Sequence, residues 1–141
     1  MEGEIYENEL LRIKVEEGIL HGTYLVEKLD LKGAIQATAF RKQVTKGRSF
    51  PALVDVSSFK EVSRETRAYF AKDAGEDLAA IAVLIKNPVS QMMINFFMRF
   101  NSPPYPIRFF TSKEDALRWL SPFVSAEYKA RHRETVKGEL L

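Results

Sequence analysis

The 141-residue sequence contains no cysteine, and this absence removes several kinds of chemistry at once. Disulfide bonds, thiol nucleophiles and thiolate metal sites all require cysteine side chains. Histidine is also scarce: His21 and His132 are the only two, and neither lies within a metal-ligand spacing. The sequence lacks a glycine-rich phosphate loop as well. We therefore predict no metal, no cofactor and no catalytic residues, and expect that the protein is not an enzyme.

Long apolar segments and a strong excess of one charge are missing too. No segment approaches the ~20 apolar residues that a membrane span needs. The acidic start MEGEIYENELL has no apolar region of the kind found in secretory signals. The 21 basic and 19 acidic residues give a net charge of +2, which does not favour nucleic acid as a partner. We expect a cytoplasmic protein without a membrane span.

The length and composition are typical of one soluble domain. Domains cluster near about 100–150 residues, and this chain is 45% hydrophobic and 28% charged. No repeat or linker-like stretch divides residues 1–141. We expect a core over about residues 5–120 and a charged C-terminal tail, predicted to be helical, over residues 121–141. The basic stretches from Arg41 to Arg48 and from Lys129 to Arg133 are typical of a solvated helix end or tail, and an anion-binding patch is the alternative for each.

The apolar patterns predict five strands. In ELLRIKVEE, apolar and charged residues alternate, as in a strand with one face in water. Glu17 and Gly18 then form the turn of a hairpin whose second strand is ILHGTYLVE. The segments FPALVDV and LAAIAVLIK are almost entirely apolar, which is typical of parallel strands covered on both faces. PIRFF is the fifth predicted strand.

Four helices are expected between and after these strands. Asp30 and Ser63 are candidate N-caps of the first two helices, and Thr111 and Glu114 have the spacing of a capping box before the last. The apolar positions of the first helix are Leu31, Ala34, Ile35 and Ala39. The element order is therefore β-β-α-β-α-β-α-β-α. It predicts an α/β sandwich with a mixed, mostly parallel five-stranded sheet and about four helices.

The segment SQMMINFFMRF predicts a helix over residues 88–100 with an unusually wide apolar surface. A core-facing stripe is formed by Val89, Met92, Met93, Phe96, Phe97 and Phe100. Ile94 and Met98 lie outside this stripe, and fully burying two such side chains is worth about 3–6 kcal/mol. A neighbouring helix, a second copy of the protein, or an apolar ligand held by adaptable methionines could cover them.

Three segments carry a family resemblance: PALVDVSSFKEVSRETRAYFAKD, AAIAVLIKNPVSQMMINFFMRF and YPIRFFTSKEDALRWL. They resemble the STAS-like superfamily of the bacterial anti-sigma factor antagonist SpoIIAA. The pattern is similar to that of small, uncharacterised bacterial proteins described as SpoIIAA-like or STAS/SEC14-like, over roughly residues 5–120. The resemblance implies a four-helix, mixed-sheet sandwich that works by binding.

The resemblance also implies a regulatory segment after the strand LVDV. In the anti-sigma factor antagonists, a serine at the start of the following helix is phosphorylated to switch partner binding. The equivalent segment here is DVSSFKEVSRETR, which implies a regulatory or partner-binding role for Asp55, Ser57, Ser58 and Ser63. The Asp-Ser pair of the antagonists is replaced here by Val62 and Ser63. The residues by themselves predict that Ser63 is an N-cap and that Asp55 makes loop hydrogen bonds, since a serine without a base is not a nucleophile.

Together these features predict a non-catalytic STAS-like binding or regulatory module that forms a homodimer and has an unidentified protein partner. The alternative is a protein that binds a small apolar molecule or lipid through the helix over residues 88–100. The predicted dimer or apolar-ligand surface consists of Ile94, Met98, Met92 and Phe96. An enzyme that works from Asp55 and the neighbouring serines is a third reading.

Overall fold

A computed structural model describes residues 2–86 and 105–125 of the chain. The strands in these ranges are β1 (Ile5–Glu7), β2 (Leu11–Glu16), β3 (Ile19–Tyr24), β4 (Lys28–Leu29), β5 (Pro51–Asp55), β6 (Glu61–Val62), β7 (Ala80–Leu84) and β8 (Ile107–Phe110). The helices are α1 (Leu31–Thr45), α2 (Arg64–Lys72), α3 (Lys113–Leu120) and a short 3-10 helix (Ser121–Phe123). The predicted helix over residues 88–100 and most of the predicted tail lie outside the described residues.

The predicted hairpin of β2 and β3 is confirmed. Leu11, Ile13 and Val15 are buried on one side of β2 while the intervening residues are more exposed. The two strands pair antiparallel, and their turn residues Glu17 and Gly18 have φ angles of 53° and 75°. Two successive positive φ angles are typical of the type I′ turn that matches the twist of a hairpin.

The apolar strands β5 and β7 are parallel neighbours, as predicted. Leu53 lies opposite Ala82 and Val54 opposite Val83, and all five residues of β7 are buried. β5 also pairs parallel with β3, and β8 pairs parallel with β7. The resulting sheet has the order β1-β2-β3-β5-β7-β8.

The predicted number of five strands is wrong, because the described residues form a six-stranded sheet and a second, two-stranded sheet. β1 adds an antiparallel edge next to β2, and the short strands β4 and β6 pair with each other in parallel. These three strands have only two or three residues each. Segments this short are too short to show an alternation. Their strand conformation depends on the neighbouring strand of the same chain with which they pair.

Helices cover the two faces of the six-stranded sheet unequally. On one face Ala34 and Ala37 of α1 pack in a large cluster with Ile13, Leu20 and other sheet residues, and Phe70 of α2 packs against the same cluster. On the other face a smaller cluster contains sheet residues with Ala116 and Leu120 of α3. Successive residues of β7 alternate between the clusters, since Val83 belongs to the first and Leu84 to the second. The parallel core is therefore the middle layer of a sandwich.

The predicted inner face of α1 is largely wrong. Leu31 and Ile35 are 36% and 47% exposed, and Ala39 is exposed too. The residues that α1 buries are Gly33, Ala34, Ala37, Thr38, Arg41 and Thr45. The backbone packs closely at Gly33, where an added Cβ would lie 3.1 Å from Leu29 Cδ1. Small residues permit this approach, so the helix packs through them rather than through its largest apolar side chains.

Two of the three predicted helix caps are confirmed. Asp30 accepts a hydrogen bond from the Gly33 N–H at 2.8 Å, and Ser63 caps α2. The cap of α3 is Ser112, not Thr111, because the Ser112 hydroxyl accepts from the Asp115 N–H at 3.3 Å. The helix therefore begins one residue later than the Thr111 and Glu114 spacing predicts.

Candidate functional site

The loop that follows β5 is organised by the carboxylate of Asp55. Asp55 Oδ1 accepts a hydrogen bond from the backbone N–H of Ser57 at 2.9 Å and another from the Ser57 hydroxyl. An aspartate that accepts from a backbone N–H two residues later forms an Asx turn. The structure thus brings Asp55 and Ser57 together, and the predicted loop hydrogen bonding of Asp55 is confirmed.

Ser58 and Ser63 are held by other parts of the fold. The Ser58 hydroxyl donates to the carbonyl oxygen of Tyr24 at 2.9 Å, which ties this loop to the end of β3. The Ser63 hydroxyl accepts from the Thr66 N–H at 3.2 Å and lies 2.6 Å from the Thr66 hydroxyl. Thr66 is fully buried, so this contact fixes the first turn of α2 against the core.

A groove lies beside Asp55 on the face of the sheet that α3 covers only in part. Its volume is about 230 Å³. The polar side chains of this charged groove come from β2, β3, β5 and the first residue of α3: Arg12, Lys14, Glu16, His21, Thr23, Asp55 and Lys113. Of these residues, only Asp55 belongs to the predicted site. The alternation in β2 and β3 gave a signal for the five residues on these two strands, since they lie on one side of each strand, but it gave none for Lys113.

The charges in the groove are partly paired. Lys14 lies 2.9 Å from Glu16, and Arg12 lies 2.6 Å from Glu7 on β1. These pairs are exposed and contribute little to stability. Burial lowers the pKa of His21, and the positive charge of Lys113 lowers it further. His21 therefore keeps a neutral imidazole to lower pH than an exposed histidine, with one ring nitrogen free to accept a hydrogen bond.

Neither a metal centre nor a membrane span is found within residues 2–86 and 105–125. No three His, Asp or Glu side chains in these ranges are arranged to hold a metal ion. None of the helices there is long and apolar enough to cross a bilayer. The predicted surface of Ile94, Met98, Met92 and Phe96 falls outside the described part of the chain.

The sequence matches the family described as a domain of unknown function (DUF7793) over residues 13–124. The chain belongs to this family. One similar solved structure is that of an uncharacterised protein of the DUF3478 family with a SpoIIAA-like fold, from Shewanella loihica PV-4. The two chains are 20% identical with a TM-score of 0.57, and the match covers 83% of this chain and 99% of the other. No curated protein matches the sequence.

These matches confirm the predicted fold class. The DUF7793 chain has a mixed, mostly parallel sheet with helices on both faces, and this architecture is SpoIIAA-like. The match lies well within the chain, from the middle of β2 to the residue after the 3-10 helix. It therefore includes Asp55, Ser57, Ser58, Ser63 and most of the residues of the charged groove.

Replacing Ser63 with alanine tests its structural role. We expect Ser63→Ala to lower the free energy of unfolding by about 1 kcal/mol, because the Thr66 N–H loses its acceptor. Ser63→Asp should recover most of this loss, since aspartate is also a good N-cap. Urea unfolding followed by circular dichroism measures both. The control is Thr111→Ala, which removes an exposed residue that does not cap α3 and should change stability by less than about 0.5 kcal/mol. Equal stability of Ser63→Ala and the wild type would contradict this role.

Proposed function

We propose that this protein is a non-catalytic binding module that contacts a protein partner through the charged groove and the adjoining Asp55 loop. The observation that carries the proposal is the uncovered polar surface on the sheet. α3 packs on β5 and β7 through Ala116 and Leu120. Within the described residues no helix packs on the outer face of β2, where Arg12, Lys14 and Glu16 line the groove.

The groove has the character of a protein contact surface. It combines a backbone held rigidly by strand pairing with charged side chains of both signs, and such surfaces contribute specificity and association rate. Lys113 stands at its rim at the start of α3, where it forms no close ion pair with another described residue. An acidic side chain of a partner would find a cation there.

The hydrogen bonds of the Asp55 loop favour binding over catalysis. Asp55 Oδ1 is occupied by the turn, and the Ser58 hydroxyl is directed to a backbone carbonyl. The Ser63 hydroxyl accepts a hydrogen bond from the Thr66 N–H in the first turn of α2. A serine nucleophile needs a base that takes its proton and is oriented by a third group, and no such triad forms among the hydrogen bonds of the described residues. The resemblance to anti-sigma factor antagonists, which work by binding proteins, supports the same conclusion.

Charge reversal in the groove tests this proposal. Immobilised wild-type protein should retain a specific protein from a lysate of its own organism, identified by mass spectrometry. We expect Lys14→Glu with Lys113→Glu to reduce its retention at least about tenfold, because like charges then face each other. The matched control, Lys28→Glu with Lys60→Glu, reverses two exposed lysines outside the groove and should leave retention unchanged.

Two results of this experiment would contradict the proposal. One is that the wild type and the control pair have no retained protein in common. The other is that the groove variant and the control pair retain the same protein equally well. Circular dichroism of each variant checks that it is folded.

We also propose that the protein forms a homodimer through Ile94 and Met98. The proposal rests on their position outside the core stripe of the predicted helix over residues 88–100. Light scattering should give twice the chain mass for the wild type and a single chain mass for Ile94→Glu with Met98→Glu. The control is Ile35→Glu, at an exposed position of α1. A wild type that stays monomeric at high concentration would contradict the dimer.

The alternative apolar-ligand role, with Met92 and Phe96, predicts a monomer with a co-purifying adduct in native mass spectrometry.

A further inference from the structure

An apolar cavity lies on the opposite side of the sheet from the charged groove. Its volume is about 60 Å³, and it lies between the sheet, α2 and the chain that connects α2 to β7. Apolar lining residues include Val54, Val56, Phe70, Leu78, Ile81 and Val83. By the same measure a cavity needs about 10–15 Å³ to hold one water molecule, so this cavity has room for the end of an organic molecule rather than for a whole lipid.

A buried arginine forms the polar end of this cavity. Arg41 of α1 is only 9% exposed, although the sequence predicts a solvated helix end there. Its Nη2 donates to the carbonyl oxygen of Ala74 at 2.8 Å and to Asp77 Oδ1 at 2.5 Å. Its Nε–H is buried and has no hydrogen-bond partner among residues 2–86 and 105–125. Buried donors are rarely left unpaired, because each loses its hydrogen bond to water without replacement.

Tyr24 lines the same cavity as this arginine. Burial raises the pKa of the Tyr24 hydroxyl, while the positive charge of Arg41 acts in the opposite direction. The hydroxyl is therefore protonated under all physiological conditions. It supplies a second hydrogen-bonding group in a cavity whose other walls are mostly hydrocarbon.

We propose that this cavity binds the oxygen-bearing end of a small uncharged organic molecule, such as a ketone or an amide, whose oxygen accepts a hydrogen bond from Arg41. The oxygen would supply an acceptor to the Arg41 Nε–H, and the adjoining carbon atoms would contact the apolar walls. A modest shift of the side chain would present Nε–H to the ligand. The proposal is independent of the protein partner, since the cavity and the groove lie on opposite faces of the sheet.

The charges around Arg41 exclude an anionic ligand. Asp77 already compensates the guanidinium charge, so a carboxylate ligand would leave one uncompensated negative charge at a buried site. A neutral acceptor avoids this penalty, and this distinguishes the site from the usual arginine pocket for carboxylates.

Butan-2-one and propionate are suitable probes because they have nearly the same shape and differ in charge. NMR titration of the full chain should show saturable shifts of the Val54 and Val83 methyl groups and of the Arg41 Nε–H with butan-2-one. We expect propionate to bind at least about tenfold more weakly. Its carboxylate could accept a charge-assisted hydrogen bond from Arg41, but the cost of burying its negative charge outweighs that bond. Propionamide should behave like butan-2-one.

A substitution that fills the cavity tests whether butan-2-one binds there. Val83→Ile adds a methylene group to the wall and should abolish the shifts at the remaining cavity residues, while Lys113→Ala, in the groove, should leave them unchanged. Val54→Ile replaces Val83→Ile if the latter does not fold. No saturable shift, as expected of a cavity that holds only ordered water, would overturn the proposal. Equal binding of propionate, or undiminished binding in the filled variant, would also overturn it.

Discussion

The parallel pairing of β5 with β7 constrains the rest of this structure. Leu53 faces Ala82 and Val54 faces Val83 across the pair, and every residue of β7 is buried. Because successive side chains point to opposite faces, both faces of these strands must be covered by helices. α1 and α2 cover one face and α3 covers the other. The same pairing places Asp55, the last residue of β5, at the carboxyl edge of the sheet, where ligand sites of open α/β sheets usually lie.

Both candidate sites lie where this layered packing is incomplete. On the α3 side, that helix covers β5 and β7, but no helix in the described part of the chain covers the outer face of β2, which leaves the charged groove. On the α1 and α2 side, the helices leave a small apolar cavity that ends at Arg41. The groove is polar and open, which suits a protein surface. The cavity is apolar with a buried guanidinium, which suits the end of a small neutral molecule.

The main layers were predictable from the sequence because the longer strands have apolar patterns of their own. Leu11, Ile13 and Val15 alternate with charged residues, and this pattern is visible without knowledge of the tertiary structure. The apolar runs of β5 and β7 are equally clear. The positions that could not be predicted depend on tertiary contacts. Arg41 lies in a basic stretch typical of a helix end, yet it is buried, and its partners Ala74 and Asp77 lie 33 and 36 residues later in the chain. Likewise, the alternation in β2 identifies a polar face, but only the placement of α3 shows that this face remains open.

Cross-strand nuclear Overhauser effects between β5 and β7 test the central claim most directly, because they report strand direction and register together. The account predicts contacts of Leu53 with Ala82 and of Asp55 with Leu84, in parallel order along both strands. Contacts in antiparallel order, or none between the two strands, would contradict the layered core and with it the positions of the groove and the cavity.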